Sequence, residues 1–145
     1  MFFSAVLSKY GIKIFALVDA RMFYTANLEV YAGKQLGGPF EVCNKPADVV
    51  KCLSSIISGS GRNITVDNNW FASVDLANYL YERNLTLVGT IRKNKTQIPP
   101  ELTETKKKQP GSSQFGFQRN STLVSYCPKK SRIGSLNHAS RCEYR

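Results

Sequence analysis

Histidine is almost missing from this 145-residue chain: His138 stands alone, with no cysteine at zinc-finger spacing. The four cysteines, Cys43, Cys52, Cys127 and Cys142, form no C-x-x-C pair. That pattern speaks against a structural zinc site and calls for no disulfide framework. Cys43 and Cys52 read as small reduced thiols of an intracellular protein. No apolar run is long enough to span a membrane. Met1-Phe2-Phe3-Ser4-Ala5-Val6-Leu7 is apolar, but it lacks a basic leader and a small-residue cleavage site, so it is not read as a signal peptide. The N-x-S/T sequons at Asn63, Asn84, Asn94 and Asn120 are then read as chance in a Ser/Thr/Asn-rich chain. Internal repeats are missing too.

Acidic residues are scarce: 10 against 20 Lys and Arg, a net charge of +10. Such a balance favours a polyanionic partner, nucleic acid before an acidic membrane. The excess is one-sided. Residues 1–90 hold eight Lys/Arg and seven Asp/Glu, whereas residues 91–145 hold twelve and three. A basic C-terminal part is harder to explain by solubility than an evenly basic surface.

What is present reads as one α/β domain of ordinary composition, large enough to bury a core. Ile12-Lys13-Ile14-Phe15-Ala16-Leu17-Val18 predicts a buried strand ending at Asp19. A hairpin is expected around Ala26-Asn27. Asn44 or Lys45-Pro46 predicts a helix start, with Val49, Cys52, Leu53, Ile56 and Ile57 at helical spacing. Ile64-Thr65-Val66 predicts a second strand, ending at Asp67. Ser73 predicts a helix cap, with Leu76, Ala77, Leu80 and Tyr81 on one face through Arg83. Residues 85–91 predict a third strand. This order predicts a mixed sheet of parallel neighbours joined by helices, with antiparallel strands at one side. Residues 92–111 then read as a basic loop or insertion, and Gln114-Phe115-Gly116-Phe117 and Thr122-Leu123-Val124-Ser125-Tyr126 as two strands of a small β unit. Residues 128–145 predict no regular structure.

Two carboxylates each follow a predicted core strand. Ligands of open α/β sheets gather beyond the carboxyl ends of strands. If the strands of Asp19 and Asp67 are parallel neighbours, the two side chains can share a hard cation such as Mg²⁺ or Mn²⁺. The plainer alternative is that both are turn residues, Asp67 in an Asx turn with Asn68, and the residue pattern by itself favours it. Arg92, Lys93 and Lys95 follow the third strand and suit phosphate contacts. Lys106, Lys107 and Lys108 suit salt-sensitive DNA contact or a nuclear localisation signal, and Lys129, Lys130 and Arg132 fit the same description. Trp70 and Phe71 read as core anchors rather than base-stacking residues.

Ser8-Lys9-Tyr10-Gly11-Ile12-Lys13-Ile14 leading to Asp19 resembles the start of the catalytic domain of piggyBac-type transposases. Asn63-Ile64-Thr65-Val66-Asp67-Asn68-Asn69-Trp70-Phe71-Ala72-Ser73 resembles that family's second acid motif, an Asp-Asn followed by an aromatic pair and Thr/Ser-Ser. Leu87-Val88-Gly89-Thr90-Ile91-Arg92-Lys93-Asn94-Lys95 with Ile98-Pro99-Pro100, and Leu123-Val124-Ser125-Tyr126 with Pro128-Lys129, are similar to two further signatures. Four motifs in order over about residues 8–130 make the match specific.

The resemblance implies a ribonuclease-H-like core of a DDE/DDD-type, cut-and-paste DNA transposase. In it Asp19 and Asp67 are the first and second catalytic acids on adjacent strands, holding Mg²⁺ or Mn²⁺. It divides the chain into the first part of that core (1–91), a DNA-contacting basic insertion (92–130) and a divergent tail (131–145). It implies a nuclear location, with DNA and a full-length related transposase as partners. Residues 1–7 and 133–145 do not look like family sequence. Asn69 stands one residue beyond the usual motif. No residue takes the place of the third catalytic Asp: Glu101 and Glu104 lie in the insertion and Glu143 in the tail. The expectation is a truncated, not autonomously active transposase domain, or else a DNA-binding module acting through its basic insertion with the acids as relics.

Overall fold

The computed structural model describes residues 11–31, 33, 45–66, 69–104 and 108–129, and the backbone alone of residues 132–138. It has a mixed α/β architecture with two small sheets.

Strand β1 (Lys13–Val18) alternates as a half-buried strand should, with Phe15 and Leu17 inward and Ile14 out. It pairs antiparallel with β2 (Thr25–Tyr31) in a sheet of these two strands. The expected hairpin therefore exists, but its turn is residues 19–24 and not Ala26-Asn27. The cause is Asp19. Its N–H donates to the Tyr24 carbonyl at 2.8 Å, while its Oδ1 accepts the N–H groups of Arg21 at 2.8 Å and Met22 at 3.2 Å. A short acid closing its own turn this way competes well with strand continuation. Phe23 takes a left-handed φ of 54° to complete the reversal. Ala26 falls at a register shift, since Leu17 pairs with Asn27 but Val18 with Thr25.

Helix α1 (Pro46–Ser54) starts with proline in its first turn, where the missing N–H costs nothing. It buries Val49, Val50 and Leu53 and runs into a 3₁₀ turn at Ser55–Ile57. Cys52 and Ile56, expected on the core face, are exposed. Strand β3 (Asn63–Val66) follows. The Ser73 hydroxyl oxygen accepts the Leu76 N–H at 3.2 Å and so caps α2 (Val74–Tyr81). Leu76, Ala77 and Leu80 are buried, and the helix stops two residues short of Arg83.

The chain then enters β4 (Thr86–Thr90), parallel to β3 with Val66 opposite Gly89. Helix α2 is the crossover that parallel pairing demands. Gly89 is required by packing. A Cβ there would collide with Val66 Cγ2 and stand 3.3 Å from Ala72 Cβ.

Beyond β4 come a short helix α3 (Pro100–Thr103), then β5 (Ser113–Gln118), β6 (Ser121–Lys129) and β7 (Arg132–His138). The second sheet has the order β3-β4-β7-β6-β5, and every pair after β3–β4 is antiparallel. Strands β5 and β6 pair as expected and form the far side of the sheet that carries β3 and β4. One expectation is corrected here. Residues 132–138, expected to lack structure, supply the strand that joins the two sides. A strand between two partners is held by backbone bonds on both edges, so it needs little apolar side-chain signal.

Strand β1 is not laddered with β3. Its direction follows from contacts at its two ends. The Lys13 ammonium lies 5.1 Å from the centre of the Trp70 ring, which comes after β3 ends, and also faces Phe15 at 4.9 Å and Tyr31 at 5.0 Å. At the other end, Asp19 meets Arg62, which comes just before β3 begins. So β1 runs against β3, contrary to the parallel neighbours expected. Edge-to-face ring contacts between Phe15 and Phe71, and between Trp70 and Phe71, with centroids 5.8 and 5.0 Å apart, fasten the hairpin to the segment after β3. Phe71 is buried in the core and Trp70 packs against it, as the sequence predicts.

Candidate functional site

Asp19 sits in the turn after β1. Besides its two backbone donors, its Oδ2 accepts the Arg62 Nη1 at 3.1 Å. The N–H groups of Arg21 and Met22, and then the Arg62 guanidinium, hold its carboxyl below the usual aspartate value of 3.8. Asp19, Arg62, Ile57 and Asn63 line an open hollow of about 930 Å³. This hollow is at the amino end of β3.

Asp67 lies outside the described residues, as do Lys106 and Lys107. The residue before it, Val66, ends β3 at the opposite end from Arg62. Four strand residues span roughly 13 Å. The described residues therefore do not bring Asp19 to the end of β3 from which Asp67 departs. The Asp19 carboxylate is committed to its own turn and to a guanidinium. Among the described residues no three His, Cys, Asp or Glu side chains are grouped to hold a metal. The turn-forming alternative for Asp19 is the one its geometry satisfies.

The carboxyl ends of β3 and β4 have a different character. Arg92 follows β4, and its Nε donates to Asn69 Oδ1 at 3.3 Å. Lys93 and Lys95 are exposed in the same loop, which turns back through a Lys95 N–H to Arg92 carbonyl bond of 3.3 Å. The structure thus brings together the segment after Asp67, the Arg92-Lys93-Lys95 loop and the aromatic box around Lys13. Lys108 is set apart from them. Its ammonium donates to the Leu102 carbonyl and to Ser125 Oγ, both at 2.8 Å, and Ser125 is buried. It ties α3 to β6 as a structural cation.

Sequence reasoning missed Arg62 and the contact made by Asn69. Nothing local marks Arg62, and its partner is 43 residues away. The extra asparagine was visible as an oddity of spacing, but its partner was not.

A family model described as Transposase IS4 matches residues 2–144. The match takes in residues 2–7 and 133–144, which the sequence reading had set outside the family. No curated protein matches the chain. Among solved structures, the chain is similar to a piggyBac transposase captured by cryo-electron microscopy in a synaptic complex with hairpin DNA. The identity is 38%, the TM-score 0.80, and the likeness covers 100% of this chain and 30% of that one. The chain thus spans under a third of that transposase. A match over nearly every residue, with the fold and sequence likeness beside it, shows that the chain belongs to the IS4 transposase family, as a piggyBac-type transposase domain.

Proposed function

We propose that this chain is a transposase-derived DNA-binding module. It grips duplex DNA through the Arg92-Lys93-Lys95 loop at the carboxyl ends of β3 and β4 and does not cut DNA by itself. The observation that carries this reading is the Arg92–Asn69 contact at 3.3 Å. It fixes a guanidinium at the sheet end where α/β folds collect ligands, with two exposed lysines beside it. Contacts of this kind bind phosphate oxygens and set register without reading bases. The one-sided basic charge of residues 91–145 supports the same partner, and the similar piggyBac transposase was captured with DNA.

A ribonuclease-H-like ancestry suits the α2 crossover between parallel β3 and β4. Its catalytic use of Asp19 and Asp67 is not part of this reading, because the Asp19 carboxylate is engaged by its own turn and by Arg62. The proposed setting is nuclear, on chromosomal DNA, alongside a full-length related transposase.

Fluorescence anisotropy of a labelled duplex tests the reading. The parent chain should bind with a steep salt dependence. Joint replacement of Arg92, Lys93 and Lys95 by alanine should weaken binding and reduce the log–log salt slope by roughly 0.9 for each phosphate contact removed. Equal affinity and slope in parent and triple variant would overturn it.

A further inference from the structure

We propose that Lys13 is a further phosphate anchor of the DNA-binding surface, its ammonium held ready in a box of aromatic rings. The proposal rests on the DNA reading above. It adds a cation from the nearly neutral N-terminal part of the chain, which the charge asymmetry does not single out.

Strand geometry builds the box. Lys13 stands opposite Tyr31, and Phe15 opposite Glu29, in the β1–β2 register. Alternate residues of a strand share a face, so these four side chains form one cluster. Trp70 meets it from the segment after β3. The ammonium lies 4.9 Å from the Phe15 ring centre, 5.0 Å from that of Tyr31 and 5.1 Å from that of Trp70. Three rings around one charge fix an otherwise flexible four-carbon stem. Phe15 is buried, but Lys13 is half-buried and Tyr31 is 37% exposed, so the box meets solvent at its Lys13–Tyr31 end.

The rings hold the charge without neutralising it. Among the described residues no carboxylate is within ion-pair distance of Lys13. Glu29, its diagonal neighbour on the same face, instead places Oε2 in a buried position with no hydrogen-bond partner. An ammonium has three donors, and a phosphate oxygen supplies the charged acceptor that a ring face does not. A stem already fixed in place loses little further freedom on gripping that oxygen.

Position joins Lys13 to the Arg92 loop. Asn69 and Trp70 are consecutive, so their Cα atoms are about 3.8 Å apart. Trp70 faces the Lys13 ammonium, and Asn69 accepts from Arg92 Nε at 3.3 Å. One dipeptide thus orients a cation from each end of the domain. The Arg92, Lys93 and Lys95 charges beside it select a phosphate backbone over an isolated carboxylate as the occupant.

The test is duplex binding by the full 145-residue chain across a salt series. Lys13→Met keeps an unbranched stem against the rings and removes the charge. It should bind more weakly and lower the log–log salt slope by roughly 0.9, the value of one phosphate contact. Lys13→Arg, which keeps the charge and stacks on rings, should restore the slope. Lys13→Met combined with Arg92→Ala should lower it by roughly 1.8, one contact for each cation. Glu29→Gln should bind the duplex roughly twofold more tightly, the scale of one unit charge removed within about 10 Å in water. An unchanged slope in Lys13→Met, with cooperative thermal unfolding retained, would overturn the anchor. The DNA reading would still stand if Arg92→Ala lowered the slope. If Lys13→Met does not unfold cooperatively, Glu29→Gln decides, and an affinity no higher than the parent's would overturn the anchor. No duplex binding by the parent would overturn both.

Discussion

The Arg62 guanidinium donates to Asp19 Oδ2 at 3.1 Å, joining the end of β1 to the start of β3 across 43 residues. Together with the Lys13–Trp70 contact at the other end of the strand, it sets the sense of β1 against β3. It also gives the Asp19 carboxylate a structural job: closing a turn and anchoring a hairpin that, among the described residues, has no ladder to the larger sheet.

A pH dependence follows. Donors to the ionised form lower the Asp19 pKa below 3.8. A carboxyl with a depressed folded-state pKa stabilises the fold above its unfolded value, and the contribution is lost as pH falls through the folded value. In urea titrations the parent should therefore exceed Asp19→Asn in stability by a constant margin near neutral pH. The margin should shrink below about pH 3.8, the unfolded reference for aspartate. A margin that grows on acidification would refute the assignment.

Gly89→Ala should destabilise the protein by about 1–3 kcal/mol, the usual cost of overpacking. The new Cβ would strike Val66 Cγ2 and crowd Ala72. The same substitution at Gly111, where nothing lies within 4 Å but φ is 82°, tests backbone strain alone. Denaturant midpoints give both values, and a Gly89→Ala cost near zero would mean that β3 and β4 are not paired as described.

Lys108 and Lys93 should part company. Lys108→Met removes two hydrogen bonds from a half-buried ammonium and should cost about 1–2 kcal/mol of stability while changing duplex affinity little. Lys93→Met at an exposed site should do the reverse. The pair is read by urea unfolding beside anisotropy. Loss of DNA affinity in Lys108→Met without loss of stability would contradict its structural role.

Ser73→Ala should cost about 1 kcal/mol by removing the acceptor for the Leu76 N–H, and Ser73→Asp should restore it. Thermal unfolding reads the difference. An alanine variant as stable as the parent would mean that the cap is not made in solution.

Much of this was legible locally. Phe15 and Leu17 alternate with outward residues, Pro46 opens a helix, Ser73 caps one, and Ile64-Thr65-Val66 has no other use than a core strand. These signals act within a few residues, where period and capping chemistry decide. What was hidden depends on partners far away in sequence. The direction of β1 rests on Lys13 meeting Trp70 and Asp19 meeting Arg62. Residues 132–138 pair through backbone on both edges, and their side chains did not announce it. Lys108 looked like the end of a charge run because Ser125, its acceptor, is 17 residues on. The Arg92-Lys93-Lys95 loop was legible as a burst of charge. The Asn69 contact that orients it was not.

The most direct test is thermal unfolding of the full chain with Mn²⁺, with duplex DNA and with neither, beside Asp67→Ala. Ligands that bind only the native state raise its melting temperature. The expected result is a rise with DNA in both proteins and no Mn²⁺-dependent rise in either. A Mn²⁺ rise in the parent that Asp67→Ala abolishes would contradict it, restoring the acids as a cation site.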